Sequence, residues 1–130
     1  MNCAGNPVTA IAQTSYGFAA RQPQSRELMR KVIEEIVVIA RATGVRLPDA
    51  DLVETSLKLA ETLGAATSST AQDLARGKRT EIDSLNGYIV RRGAELGIAT
   101  PINSTLYALI KLMEEKNAQQ ELGRPAGSSR

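Results

Sequence analysis

The chain has no histidine and no tryptophan, one cysteine, and aromatic residues at only 3% of its 130 positions. Each shortage narrows what it can do. Histidine is the usual general base near neutral pH and the commonest metal ligand. Its absence, without any cluster of cysteines, argues against a transition-metal site. The lone Cys3 cannot form an internal disulfide, which fits a reducing cytoplasm, and it reads as a small buried residue rather than a nucleophile. With so few aromatics the core must be aliphatic, and such a core favours packed helices over stacked sheets. Long apolar runs are missing too: Ile36 to Ala40 falls far short of the ~20 residues of a membrane span. No basic stretch followed by an apolar core marks a secretory signal. A net charge of +2 is too small to argue for nucleic acid, so Arg91 and Arg92 read as a solvated helix face.

What is present is helical spacing. At 130 residues the chain makes one domain, burying roughly two thirds of its unfolded surface. From Ser25 to Thr43 apolar residues recur at Leu28, Met29, Val32, Ile33, Ile36, Val37 and Ala40, and Gly44 supplies the stop. Glu34 and Glu35 are expected on the wet side. A second helix is expected from about Pro48 to Gly64, with Leu52, Val53, Leu57, Ala60 and Leu63 inward. A short helix follows over Ser69 to Arg76, broken by Gly77. The next is expected over Thr80 to Leu96, with Thr80 and Asp83 resembling a capping box and Gly97 as its end. Gly87 falls inside that pattern, at a cost of ~1 kcal/mol against alanine, so a close backbone approach is expected there. The last helix opens at "TPIN", Thr100 as cap and Pro101 as first helical residue, and continues through Ile102, Leu106, Leu109, Ile110 and Met113. No stretch alternates with period two and no internal repeat is found. The expectation is an all-α domain of about five to six helices over residues 1–122, followed by a disordered tail over 123–130.

The opening "MNCAGNPVTAIAQ" reads as a helix without a cap, as if cut from a larger protein or encoded by a shortened gene. Asn2, Asn6 and Ala10 share one of its faces, with Val8 and Ile11 turned elsewhere. Ser69 and Glu81 are each expected at or near a helix N-terminus, where backbone N–H groups favour anions. Four polar residues then stand out: Asn2, Asn6, Ser69 and Glu81. From spacing alone, caps and surface polar residues are the simpler account. A pocket for a small carboxylate-bearing molecule is the other.

The stretch "SSTAQDLARGKRTEIDSLNG", followed by "GIATPIN" and "LYALIKLMEE", resembles the C-terminal domain of the ketopantoate reductase (2-dehydropantoate 2-reductase) family. The resemblance rests on Ser68 and Ser69, Gln72 and Asp73, Thr80 to Asp83, and Asn86 with Gly87. The opening "NCAGNPVTA" adds to it, so that it runs from about Asn2 to Glu115. It implies the helical fold shared by the C-terminal domains of ketopantoate reductases and 6-phosphogluconate dehydrogenases. It also implies a cytoplasmic oxidoreductase of pantothenate biosynthesis that reduces a small 2-oxo acid with NADPH bound on a separate Rossmann domain. On this resemblance Ser69 binds the substrate carboxylate, Asn2 and Asn6 bind the distal hydroxyl of ketopantoate, and Glu81 is the active-site glutamate.

Departures from the family pattern shape further expectations. The family's general-acid lysine lies one helical turn before the first asparagine, a position that would precede Met1. No G-x-G-x-x-G follows a strand. The chain alone is therefore expected neither to bind NADPH nor to turn over ketopantoate. Tyr16 stands where relatives often carry another polar substrate-binding residue. Arg76, Lys78 and Arg79 form either a solvated face or an attraction for phosphates or an acidic substrate. The alternative to a catalytic half is a free-standing helical module that dimerises and does no chemistry. A homo-oligomer is expected in either case, through an apolar patch on the first helix that includes Val8 and Ile11 and through the helix starting at Thr80.

Overall fold

The computed structural model describes residues 2–48 and 51–123. Among these residues seven helices and no strand occur: α1 (Asn2–Ala12), α2 (Tyr16–Arg21), α3 (Pro23–Ala42), α4 (Leu52–Leu63), α5 (Ser69–Ala75), α6 (Asn86–Leu96) and α7 (Pro101–Leu122). The all-helical class expected from the sequence is what forms. The six-residue α2 has no counterpart in that expectation, being too short for a 3.6-residue period to declare itself.

Helix α1 is the axis of the molecule. Every residue from Ala4 to Ala10 is buried, and α1 packs against α2, α3, α5 and α7. A helix so covered has little wet surface, and its polar Asn6 and Thr9 are buried and hydrogen-bonded instead. Val8 is only 5% exposed and Ile11 is half-buried, and both also line an open apolar groove with Leu28, Ile102, Leu106 and Leu109. One cluster gathers Ala4, Val8, Met29, Val32, Leu57 and Leu106 around it; a second joins Ala10 to Leu74, Ile82 and Ile110.

Several element boundaries differ from the expected ones. Helix α4 starts at Leu52, capped by Asp51 through Glu54 N–H at 3.0 Å, while Pro48 lies in the irregular segment before it. The helix expected from Thr80 begins only at Asn86, and residues 80–85 form turns. The Thr80 hydroxyl accepts from Ile82 N at 3.1 Å rather than completing a capping box with Asp83. Leu63, expected inward, is 37% exposed, and Leu109 of α7 is 40% exposed. The tail expected from 123 lies, apart from Gly123, outside the described residues.

Two glycines set how closely elements approach. A Cβ on Gly17 would meet the backbone of Gly64 at 2.8 Å, where Gly17 N donates to Gly64 O at 2.8 Å. This contact presses the start of α2, and with it Tyr16, against the end of α4. A Cβ on Gly87 would lie 2.9 Å from the Tyr107 ring, so the close approach expected there is made by α7.

Candidate functional site

The site begins with a proline. Pro7 lies inside α1 and has no N–H, so the carbonyl four residues earlier, that of Cys3, loses its helical donor. The Asn86 amide supplies a replacement at 2.8 Å and gives its second hydrogen to Asn103 Oδ1 at 2.9 Å. Asn103 in turn donates to Glu35 Oε1 at 2.8 Å. This chain of bonds ties the first residue of α6 to the N-terminal half of α1, and it draws the 80–85 turns alongside.

A second tie joins α1 to α5. Ser68, fully buried, caps α5 by accepting from Ala71 N at 3.1 Å. It also accepts from the Thr9 hydroxyl at 2.9 Å and faces the Asn6 carbonyl at 3.4 Å. The cap is thus Ser68, and Ser69 is the first helical residue.

The four residues singled out in the sequence fall into two kinds. Asn2, Ser69 and Glu81 are exposed, and their side chains have no hydrogen-bond partner among the described residues. Asn6 is buried, 3% exposed, and its Oδ1 accepts from the Tyr16 hydroxyl at 2.6 Å. Ser68, the residue before Ser69, bonds to the Asn6 carbonyl, and Asn86, five residues after Glu81, bonds to the Cys3 carbonyl. No hydrogen bond links the four to one another. Glu81 sits in a turn five residues before α6, not at a helix N-terminus as expected, because the helix starts late. A cleft of about 510 Å³ opens farther along α1, lined in part by Ala10, Thr67, Ala71 and Gln72, and includes none of the four.

Beneath the Glu81 turn lies a charged network the sequence did not disclose. Glu114 of α7 accepts from the Thr80 N–H at 2.8 Å and its hydroxyl at 2.7 Å, and pairs with Lys111 at 3.0 Å. Burial pushes the Glu114 carboxyl up, but the Thr80 bonds and Lys111 outweigh it and hold the group below its ordinary value. Asp83 accepts from Tyr107 at 2.5 Å and from Lys111 at 3.1 Å, and these bonds, the tyrosine's first, lower its pKa. Burial raises the Cys3 thiol, which suits a packing residue and not a nucleophile.

Sequence reasoning missed Asn86, Asn103, Glu35 and Glu114 as the groups that place the site. One signal was available: a proline inside a helix announces an orphaned carbonyl four residues back. Among the described residues no group of acidic or cysteine side chains is arranged to hold a metal. Nor among these residues does a strand lead through a glycine-rich loop into a helix, the arrangement that cradles a dinucleotide in a Rossmann fold.

The chain matches the family model described as ketopantoate reductase PanE/ApbA C terminal over residues 1–114. It is 40% identical to the 2-dehydropantoate 2-reductase of Pyrobaculum aerophilum over 114 residues, covering 88% of this chain and 40% of the relative. The Vibrio cholerae 2-dehydropantoate 2-reductase is 36% identical over 115 residues, with 88% and 38% covered. The crystal structure of a PanE/ApbA family ketopantoate reductase from Ralstonia eutropha JMP134 superposes with a TM-score of 0.83 at 52% identity, covering 90% of this chain and 39% of that one. The chain therefore spans about 40% of the length of the relatives it matches. It belongs to the ketopantoate reductase family, whose C-terminal helical domain it carries.

Proposed function

We propose that this chain is the substrate-binding domain of an NADPH-dependent reductase that converts a 2-oxo acid, ketopantoate, to its 2-hydroxy acid. The observation that carries the reading is the family match over residues 1–114. The exposure of Asn2, Ser69 and Glu81 is in keeping with it. The free Ser69 hydroxyl offers a donor to the substrate carboxylate, and Asn2 and Asn6 offer amides to its distal hydroxyl. Glu81 brings a carboxylate to the reacting end. The nucleotide would be held outside this domain, on the part of the relatives that this chain does not span.

Joining the chain to the N-terminal portion of the Ralstonia relative tests the proposal. Ketopantoate-dependent oxidation of NADPH is expected. Ser69→Ala should mainly raise KM, by removing a binding hydroxyl, whereas Glu81→Gln should also lower kcat. A chimera that folds and binds NADPH, yet treats ketopantoate no differently in parent and variants, would refute these assignments.

A further inference from the structure

We propose that Tyr16 is a positioning residue: its hydroxyl locks the Asn6 amide so that Asn6 meets the substrate only as a hydrogen-bond donor. The inference rests on the functional reading above and specifies how one of its residues works.

An asparagine amide has two faces of opposite character, an acceptor oxygen and a donor nitrogen, and rotation of the side chain by half a turn exchanges them. Tyr16 removes that freedom. The separation of Tyr16 Oη and Asn6 Oδ1 is 2.6 Å. That is an O–H···O distance; an amide nitrogen donating to a phenol oxygen would sit nearer ~2.9 Å. The phenol therefore donates and the Asn6 oxygen accepts.

Burial strengthens the lock. Asn6 is 3% and Tyr16 8% exposed, and burial raises the phenol pKa, keeping the hydroxyl proton in place. Tyr16 itself has little room to move, because its backbone N–H is tied to Ala66 O at 3.1 Å and Gly17 is pressed against Gly64. The Asn6 Nδ2 has no partner among the described residues, and it is not sealed inside the protein. It is a fixed donor on α1 that no described residue uses. A ligand atom placed against it must accept a hydrogen bond, as a hydroxyl or carboxylate oxygen does and a methyl group does not.

Two measurements on the 130-residue chain decide the matter. The first needs no ligand. The orientation of the Asn6 amide about its Cβ–Cγ bond, read from the NOEs of its Nδ2 protons, should be single in the parent, and the share of the flipped orientation should rise about two- to twelvefold in Tyr16→Phe, the range expected for losing one such bond. An unchanged NOE pattern in a variant that keeps the parent's circular dichroism would overturn the lock. The second is titration with ketopantoate and with 3-methyl-2-oxobutanoate, which lacks the distal hydroxyl. Asn6→Asp keeps an oxygen for Tyr16 but replaces the free donor with an acceptor. It should weaken ketopantoate binding about tenfold or more while changing the response to the hydroxyl-free acid less. Equal effects on both acids would mean that Asn6 does not read the hydroxyl. If neither the parent chain nor its chimera with the Ralstonia N-terminal portion bound either acid while Tyr16→Phe still freed the amide, the substrate assignment would fall and the lock would stand.

Discussion

At the scale of single residues, Asn86 carries the most consequence. Its two amide hydrogens satisfy the Cys3 carbonyl and Asn103 Oδ1, and both acceptors lie where water has little access. Asn86→Ala would leave both unpaired, at ~1–3 kcal/mol each. Urea unfolding should accordingly show a loss of about 2–5 kcal/mol, large for one substitution. Asn86→Asp should be no milder at neutral pH, since it turns an oxygen toward the same two acceptors. A loss below ~1 kcal/mol for Asn86→Ala would show that the Pro7 gap is filled by something else. The residue was legible in the sequence only as half of an Asn-Gly pair. Its task depends on residues 83 and 17 positions away in the chain, which no local pattern reports.

At the scale of elements, helix ends show where local rules hold and where they yield. Pro101 opens α7 as expected, and Gly44, Gly64, Gly77 and Gly97 all turn to positive φ just past the helices they were expected to stop. Thr100, however, makes no side-chain cap. The N-terminal donors of α7 go to Glu35, which accepts from Ile102 N at 2.9 Å and Asn103 N at 3.0 Å. This glutamate, expected on the wet side of α3, is a cap supplied by another helix. The end of α1 breaks a rule differently. Thr14 N reaches back to Thr9 O at 3.1 Å, a closure that needs a left-handed residue between, and Gln13 takes that role at φ 55°. A side chain there costs ~1–2 kcal/mol. Glycine would relieve that cost and give back only ~0.5–1 kcal/mol in chain entropy. Gln13→Gly should therefore raise stability by about 0.5–1 kcal/mol in the same urea assay. A net loss would mean that the Gln13 side chain contributes more than its strained backbone costs.

At the scale of the whole molecule, acid should loosen the fold from one identifiable place. Glu114 is 8% exposed and Asp83 half exposed, and both titrate below their ordinary values. For groups lowered on folding, the stabilisation is complete above the unfolded pKa, near 4.5 for glutamate and 3.8 for aspartate, and is lost as pH falls through the folded values. Lys111 and Tyr107 are raised, the first mainly by its bond to Glu114 and the second by its bond to Asp83. The same bonds are lost on the alkaline side as Tyr107 and Lys111 deprotonate, above their ordinary 10.0 and 10.5. Melting temperature should thus hold near neutral pH and fall below about 4.5, with a shallower acid fall in Glu114→Gln. Parallel acid limbs in parent and variant would place the titrating groups elsewhere. The aliphatic composition and the three-and-four spacing of α3 and α4 settled the helical class by themselves, because each of those helices keeps one face in water and so writes its orientation locally. The burial of α1, the late start of α6, the Asn6–Tyr16 bond and the place of Glu81 were decided only by tertiary structure. What covers α1 comes from four other helices, and a hydrogen bond between distant side chains exists only once the helices that bear them have packed.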